Sequence, residues 1–278
     1  MRNARFSAVS LSCLLFSGCM STTNLGTAAS ERKQFMVIPA KVWTAQSERS
    51  YKRFTSEAKT KQVLVIDAKL NHVLDQLRTE ADLFRTGSNQ WNWSIQGNLN
   101  GELNAHSLPG GKIIVNTGLY WGLKLNEDEL AFVIAHEMAH SLRDHNREKA
   151  SMMLASNAAM LAATGGAEAI ASVAASVASQ TAMIPQGWNL EVEADVIGLD
   201  IMSRAGYNPN AAVDFWAKFQ NESNRRKAFD VKPLMSDALY AKRIANIEKY
   251  LPEMQNKYQQ VLATKAHSAQ YTARNTVQ

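Results

Sequence analysis

The chain is poor in cysteine: of 278 residues only two carry a thiol, Cys13 and Cys19, both near the N-terminus. No disulfide framework can form, so stability has to come from packing and from any metal that the side chains hold. A charge excess of one sign is also missing. Thirty basic residues face twenty-five acidic ones, a net charge of +5, which makes no case for nucleic acid as a partner. No apolar run has the length of a bilayer span. Phe6 to Phe16 is apolar but falls well short of the roughly 20 residues a crossing helix needs. Histidine is scarce at six, so any regular spacing among the histidines carries information.

Two of those six stand four apart in His136-Glu137-Met138-Ala139-His140, within the apolar run Leu130 to Leu142. The run has a helical pattern, with Asn126 placed as N-cap and Glu129 as the return partner of a capping box. Residues four apart on a helix share a face, so both imidazoles can reach one metal ion. Glu137 lies beside them at the rim, where it can hold an attacking water without ligating the metal. This is the HExxH pattern of a zinc peptidase. A helix buried on nearly every side does not carry two histidines and a glutamate without a use for them.

The N-terminus has the form of an export signal. Arg2 and Arg5 precede the apolar run, which ends in Ser17-Gly18-Cys19 and resembles a bacterial lipoprotein signal whose cysteine is acylated. Residues 1–18 are expected to be removed and Cys19 to become a lipid-bearing N-terminus on the periplasmic side of the envelope, on the outer membrane. The net charge of +5, less Arg2 and Arg5, stays mildly basic and suits a domain held beside anionic headgroups. Residues 19–30 are small and polar and are expected to form a flexible tether.

Helices are expected over 40–58 and 60–85, the second from the spacing of Val63, Ile66, Leu70, Val73, Leu74 and Leu77. The period then changes to two. Trp91–Ile95, Leu103–Leu108 and Lys112–Asn116 are expected strands, the last two joined by the turn Pro109-Gly110-Gly111. Asn104, Ala105 and His106 are the candidate edge for binding an extended substrate by strand addition. His145, five residues after His140, falls off the ligand face of a continuing helix and is expected at the surface. Residues 150–184 are rich in Ala, Ser and Met. Their low transfer energy and the central Glu168 favour a helical hairpin, or a lid over the cleft, over a membrane hairpin. Helices are expected again over 210–221 and 237–262, with Arg225-Arg226-Lys227 on a solvated face and a frayed, flexible tail over 265–278.

A third ligand is offered by the helix that opens at Trp188, after Pro185 and Gly187. Glu191, Ala194, Asp195 and Gly198 share one face. The two small residues let that face press on the HExxH helix. Glu191 then completes a His-His-Glu set, and Asp195 can accept the free N–H of a ligating imidazole. Glu193 points off this face and is expected to be solvated.

Asn104-Ala105…Pro109-Gly110-Gly111, His136–His140 and Glu191–Asp195 together resemble the gluzincin family of HtpX and the CAAX prenyl proteases. The likeness is strongest to its lipid-anchored periplasmic, LoiP/BepA-like branch, over roughly residues 31–252. The resemblance implies an α+β, mostly helical zincin-like metallopeptidase domain (31–264) with a small sheet ahead of the HExxH helix. It further implies one zinc ion per chain, Glu191 as a ligand, and unfolded envelope proteins as substrates. In that family a His-Pro pair, whose His approaches the active site, stands six residues before an arginine near the C-terminal end of the domain. Here Arg243 is present, while Asp237-Ala238 occupies the pair's place. The bland alternative for Arg243 is a salt bridge on a surface helix. Glu137 is then the general base, with Asp195 and Arg243 as the other catalytic-site candidates. The rival is a lipid-anchored, chaperone-like binding protein with an occluded or weak zinc site.

Overall fold

The computed structural model describes residues 21–24, 32–156, 166–179, 187–227 and 236–275. The signal run, Cys19 and most of the expected tether lie outside the described residues. Among them the fold is α+β, with helices around one small sheet.

Helix α1 (Ala40–Thr60) leads to strand β1 (Leu64–Val65) and helix α2 (Ala68–Leu77). The single helix expected over 60–85 is therefore interrupted. Val63 to Ile66 is largely β-branched and prefers an extended backbone. Asp67 then starts α2 by accepting the Lys69 N–H at 2.8 Å. Leu70, Val73, Leu74 and Leu77 are buried as expected, whereas Ile66 is exposed. A short helix α3 (Ala81–Phe84) follows.

The sheet is completed by β2 (Ser94–Asn98), β3 (Ala105–Leu108) and β4 (Lys112–Asn116), in the order β1-β2-β4-β3. Strands β2 and β4 run parallel with Ile95 opposite Ile113, and β3 returns antiparallel to β4 with His106 opposite Ile114. The β3–β4 turn falls where expected. Gly110 and Gly111 have φ of +81° and +77°, and a Cβ on Gly111 would meet the Trp93 ring at 2.5 Å. Ile95, Ala105, Ile113 and Val115 turn into the main core. Helix α1 lies along the other face, where the Ser94 hydroxyl donates to the Tyr51 hydroxyl at 3.1 Å and Phe54 meets His106 edge-on.

After α4 (Thr117–Tyr120) comes the central helix α5 (Glu127–Leu142). Its capping box is complete: Asn126 Oδ1 accepts the Glu129 N–H at 2.9 Å, and Glu129 Oε2 accepts the Asn126 N–H at 2.8 Å. Every residue from Glu129 to Leu142 is buried, and each large apolar side chain so placed contributes about 2 kcal/mol to folding.

Helices α6 (His145–Ser156) and α7 (Gly166–Ser179) pack on each other. With Ile38 and Trp43, Ala150, Leu154, Ala169 and Val173 form a second, small core. The described parts of the Ala-rich stretch 150–184 are thus helical, the first helix starting earlier, and residues 157–165 and 180–186 lie outside the described ones. Among the described residues no helix is long and apolar enough to cross a membrane.

Helix α8 (Trp188–Ala205) crosses α5 at close range. Gly198 makes this possible, since a Cβ there would lie 2.9 Å from the His136 backbone nitrogen. Helices α9 (Ala211–Lys227) and α10 (Asp237–Asn275) close the far side. The expected fraying after residue 264 is not found, because α10 continues through Pro252 to Asn275. Its exposed end consists of helix-compatible residues, and Thr264 and Ser268 bond back to the carbonyls four residues earlier.

The tether expectation also needs correction. Residues 21–24 lie against the domain: the Asn24 N–H donates to the Phe84 carbonyl at 2.7 Å, and Thr22 Oγ1 donates to Gln34 Oε1 at 2.8 Å. Small polar side chains that read as a linker serve here as hydrogen-bond partners.

Candidate metal centre

Helices α5 and α8 bring His136, His140 and Glu191 together, and their ligand atoms all lie within 4.8 Å of one another. The two Nε2 atoms face each other at 3.0 Å. Glu191 Oε2 is 3.5 Å from His136 Nε2, and Glu191 Oε1 is 3.7 Å from His140 Nε2. Two imidazole nitrogens sharing a tetrahedral zinc would stand about 3.3 Å apart. Glu191 Oε1 and both Glu137 oxygens are buried without a hydrogen-bond partner among the described residues. Buried carboxylate oxygens are rarely left so, and a divalent cation fits this donor set.

His136 is supported from behind by the pair expected from the helical face. Its Nδ1 lies 3.0 Å from Asp195 Oδ1. Asp195 in turn receives both arms of Arg243, at 2.8 and 2.6 Å, while Arg243 Nη1 reaches Glu191 Oε2 at 3.1 Å. The guanidinium stacks 4.2 Å above the Trp216 ring. Arg243 is buried, which rules out the surface salt bridge. Burial pulls the His136 imidazole down, but its contacts with Asp195 and Glu191 outweigh that and push it up to about 9 in the absence of metal. Burial opposes ionisation of Asp195, yet Arg243 and His136 hold it below the ordinary carboxylate range. Burial likewise works against the Arg243 cation, and the two carboxylates raise it nonetheless. Asp195 and Arg243 thus stand behind the metal position and not in front of it.

His140 has a support that the sequence reading missed. His145 is buried, its Nδ1 lies 2.8 Å from His140 Nδ1, and its Nε2 lies 3.0 Å from Glu193 Oε2. The expectation of a surface histidine assumed that the helix continued past His140. Instead α5 ends at Leu142 and Asp144 adopts φ +52°, a left-handed turn that Asp tolerates. The chain swings round and returns His145 to the ligand. Glu193 is also buried, against the expectation of solvation. The off-side of α8 faces a polar network in place of water. Arg32 binds Glu193 at 2.5 Å and Glu148 at 2.6 Å, and Arg143 approaches Glu193 at 3.3 Å. Arg143 also donates to Ser21 Oγ and Thr23 Oγ1, each at 2.9 Å. Burial drives the His145 imidazole down to about 3, so it is neutral. Burial resists charge on Glu193, but His145, Arg32 and Arg143 bring it down to about 2. No periodicity signals these partners; a left-handed residue after the motif could have hinted at them, but Asp is common in many other settings.

Strand β3 lies at one end of the sheet and among the described residues pairs only with β4. The Asn116 N–H bonds to the Asn104 carbonyl at 3.0 Å. By the antiparallel alternation, Ala105 and Ser107 then turn their backbone groups away from β4, although both residues are buried. Of the edge expected at Asn104, Ala105 and His106, Asn104 precedes the strand, and both Asn104 and Ala105 are buried. The Ser107 carbonyl is already taken by the Asn146 amide at 2.8 Å. His106 is lowered by burial, with the nearby Glu137 carboxylate pulling the other way.

The profile of peptidase family M48 matches residues 67–261. The mitochondrial metalloendopeptidase OMA1 of Saccharomyces cerevisiae is 31% identical over 176 residues, covering 62% of this chain and 50% of the relative. Its Schizosaccharomyces pombe counterpart is 32% identical over 175 residues, with the same shares. The beta-barrel assembly-enhancing protease of Escherichia coli is 26% identical over 165 residues, 56% of this chain and 34% of that protein. The chain spans about half the length, or less, of these curated relatives.

Proposed function

The chain belongs to peptidase family M48, and on that premise we propose that it is a zinc-dependent endopeptidase acting on proteins of the cell envelope. The observation that carries this is the convergence of His136, His140 and Glu191 around one point, together with the carboxylate of Glu137, the residue next to His136 in the chain, buried without a partner among the described residues. Bound zinc supplies Lewis-acid polarisation of the scissile carbonyl and of water. His136, His140 and Glu191 hold the ion. Glu137 takes the proton of the attacking water and returns it to the departing amine nitrogen. An extended substrate adds along the edge strand β3 by backbone hydrogen bonds, which favours chain conformation over side-chain identity, and the buried Ala105 has to be uncovered for it to bind. Asp195 and Arg243 act through His136 and Glu191, fixing tautomer and charge.

The cellular setting belongs to the same proposal. Cys19, acylated after removal of residues 1–18, tethers the domain to the periplasmic face of the outer membrane, and misfolded or misassembled envelope proteins are the substrates. The name of the Escherichia coli relative, a beta-barrel assembly-enhancing protease, supports that setting. The mitochondrial relatives act elsewhere by name, so cell fractionation of a Cys19→Ser variant is the direct check on the anchor.

The deciding experiment is Glu137→Gln in the full chain. The amide can hold a water but cannot take its proton, so cleavage of an unfolded protein substrate should fall by about 10²–10⁴-fold while zinc stoichiometry is unchanged. A chelator should abolish wild-type cleavage and added zinc restore it. Undiminished cleavage by a zinc-loaded Glu137→Gln protein would exclude this mechanism. Intact function in cells with no cleavage by either form would favour the binding-protein alternative.

A further inference from the structure

With its Nε2 turned to the metal position, His140 has one other polar atom, Nδ1, and that atom faces His145 Nδ1 at 2.8 Å. A metal-bound imidazole carries its proton on the free nitrogen. His145 must then accept at Nδ1, which places its own proton on Nε2. That nitrogen lies 3.0 Å from Glu193 Oε2, an oxygen placed to accept it. The donors therefore run in one consistent direction, from His140 to His145 to Glu193. The far end is fixed as well. Arg32 Nε contacts Glu193 at 2.5 Å, Arg32 grips Glu148 through two nitrogens at 2.6 and 2.7 Å, and Arg143 stands at 3.3 Å. All three relay residues are buried, so water does not compete for these bonds.

We propose that His145 and Glu193 are positioning residues for the metal centre: a buried relay that sets the tautomer and ring orientation of His140, clamped in place by Arg32 and Arg143. It rests on the reading of His140 as a zinc ligand, and it gives His140 the same kind of support that Asp195 gives His136. A histidine that only filled space would not need both ring nitrogens matched to partners of the right polarity.

The test is zinc affinity of the full chain, measured by chelator competition, together with the visible absorption bands of the cobalt-substituted protein. His140→Ala is the reference and should lose the metal. His145→Phe fills the space but removes the acceptor, and should weaken zinc binding by about 10–100-fold and shift the cobalt bands. His145→Asn, whose amide oxygen can accept from His140, should recover part of that loss. Glu193→Leu should weaken zinc binding, whereas Glu193→Gln, which keeps an acceptor, should cost less. If His145→Phe does not fold, the two Glu193 variants carry the same comparison. Wild-type affinity and an unchanged cobalt spectrum in His145→Phe and Glu193→Leu, with metal lost in His140→Ala, would overturn the relay and leave the ligand set standing. Equal losses in His145→Phe and His145→Asn would reduce His145 to a packing role and also overturn it. Zinc retained by His140→Ala would overturn the ligand assignment itself.

Discussion

The two flanks of the metal centre hold their imidazoles by different means. On the His136 side, Asp195 and Glu191 come from one helix face, and a single arginine from α10 joins them at 2.6–3.1 Å. That arginine is matched by two carboxylates, and its cation is favoured despite full burial. On the His140 side, the support is assembled from α6, α8, the turn after α5 and the N-terminal segment. Arg143 is equally buried, but its contacts with Glu193 are 3.3–3.4 Å, and burial lowers its pKa below the usual arginine value. The first flank is a compact ion cluster within the core. The second depends on residues 21–24 and 32–34 remaining docked. A site can thus be strong and local on one side, and distributed and dependent on a surface segment on the other.

Removing the central arginine of each flank gives the largest contrast. Arg243→Leu leaves Asp195 and Glu191 buried without their cation and should cost about 3–5 kcal/mol of stability. Arg143→Leu leaves Glu193 still paired with Arg32 and His145, so the loss should be about 1–3 kcal/mol. Chemical denaturation of both variants tests this, and equal losses would erase the distinction.

Metal affinity gives the next step. Asp195 touches the imidazole directly, so Asp195→Asn should weaken zinc binding by about 10–100-fold. Glu193 acts at one remove through His145, and Glu193→Gln should weaken it less. A reversed order, read by chelator competition, would mean that the distributed flank dominates.

Acid should separate the flanks further. Burial resists ionisation of Glu148, but Arg32 and Gln34 bring its folded pKa below the ordinary 4.5. Its contribution is therefore complete above about pH 4.5 and is lost as pH falls through the lower folded value. Limited proteolysis should find residues 32–38 loosening in that acid window, and Glu148→Gln should flatten the pH dependence there. A variant with the wild-type acid profile would remove Glu148 from the clamp.

The smallest effect belongs to the segment nearest the expected anchor. Thr23→Val removes one hydrogen bond to Arg143 and should cost about 1 kcal/mol, with zinc affinity unchanged. A loss of affinity would show that the segment reaches the metal and not only the clamp.

Much of the fold could be read along the chain because the signals were local. The capping box at Asn126 and Glu129, the glycines of the β3–β4 turn and the buried face of α2 each depend on a few neighbouring residues. The strand boundaries were less legible: Trp91 stacks on Trp93 ahead of β2 and is not part of it, and Leu64–Val65 pairs with residues more than 30 positions away. The gathering of His136, His140 and Glu191 was visible because each spacing lies within one helix and Gly198 announces a close crossing. Arg243 was visible as a candidate, while its partners were not.

What the sequence determined by itself is whatever the helical and strand periods fix: which side chains share a face, where α5 begins, and which small residues allow two helices to touch. What only the tertiary structure decided lies where those periods stop. One left-handed residue, Asp144, turns the chain so that His145 returns to His140 and does not continue round the helix. The outer face of α8, which a helical wheel would assign to solvent, meets Arg32, Arg143 and His145, and Glu193 is a buried partner in place of a solvated charge. A period predicts direction only within one element; the direction of the next element, and what stands opposite each face, follow from how the whole chain packs.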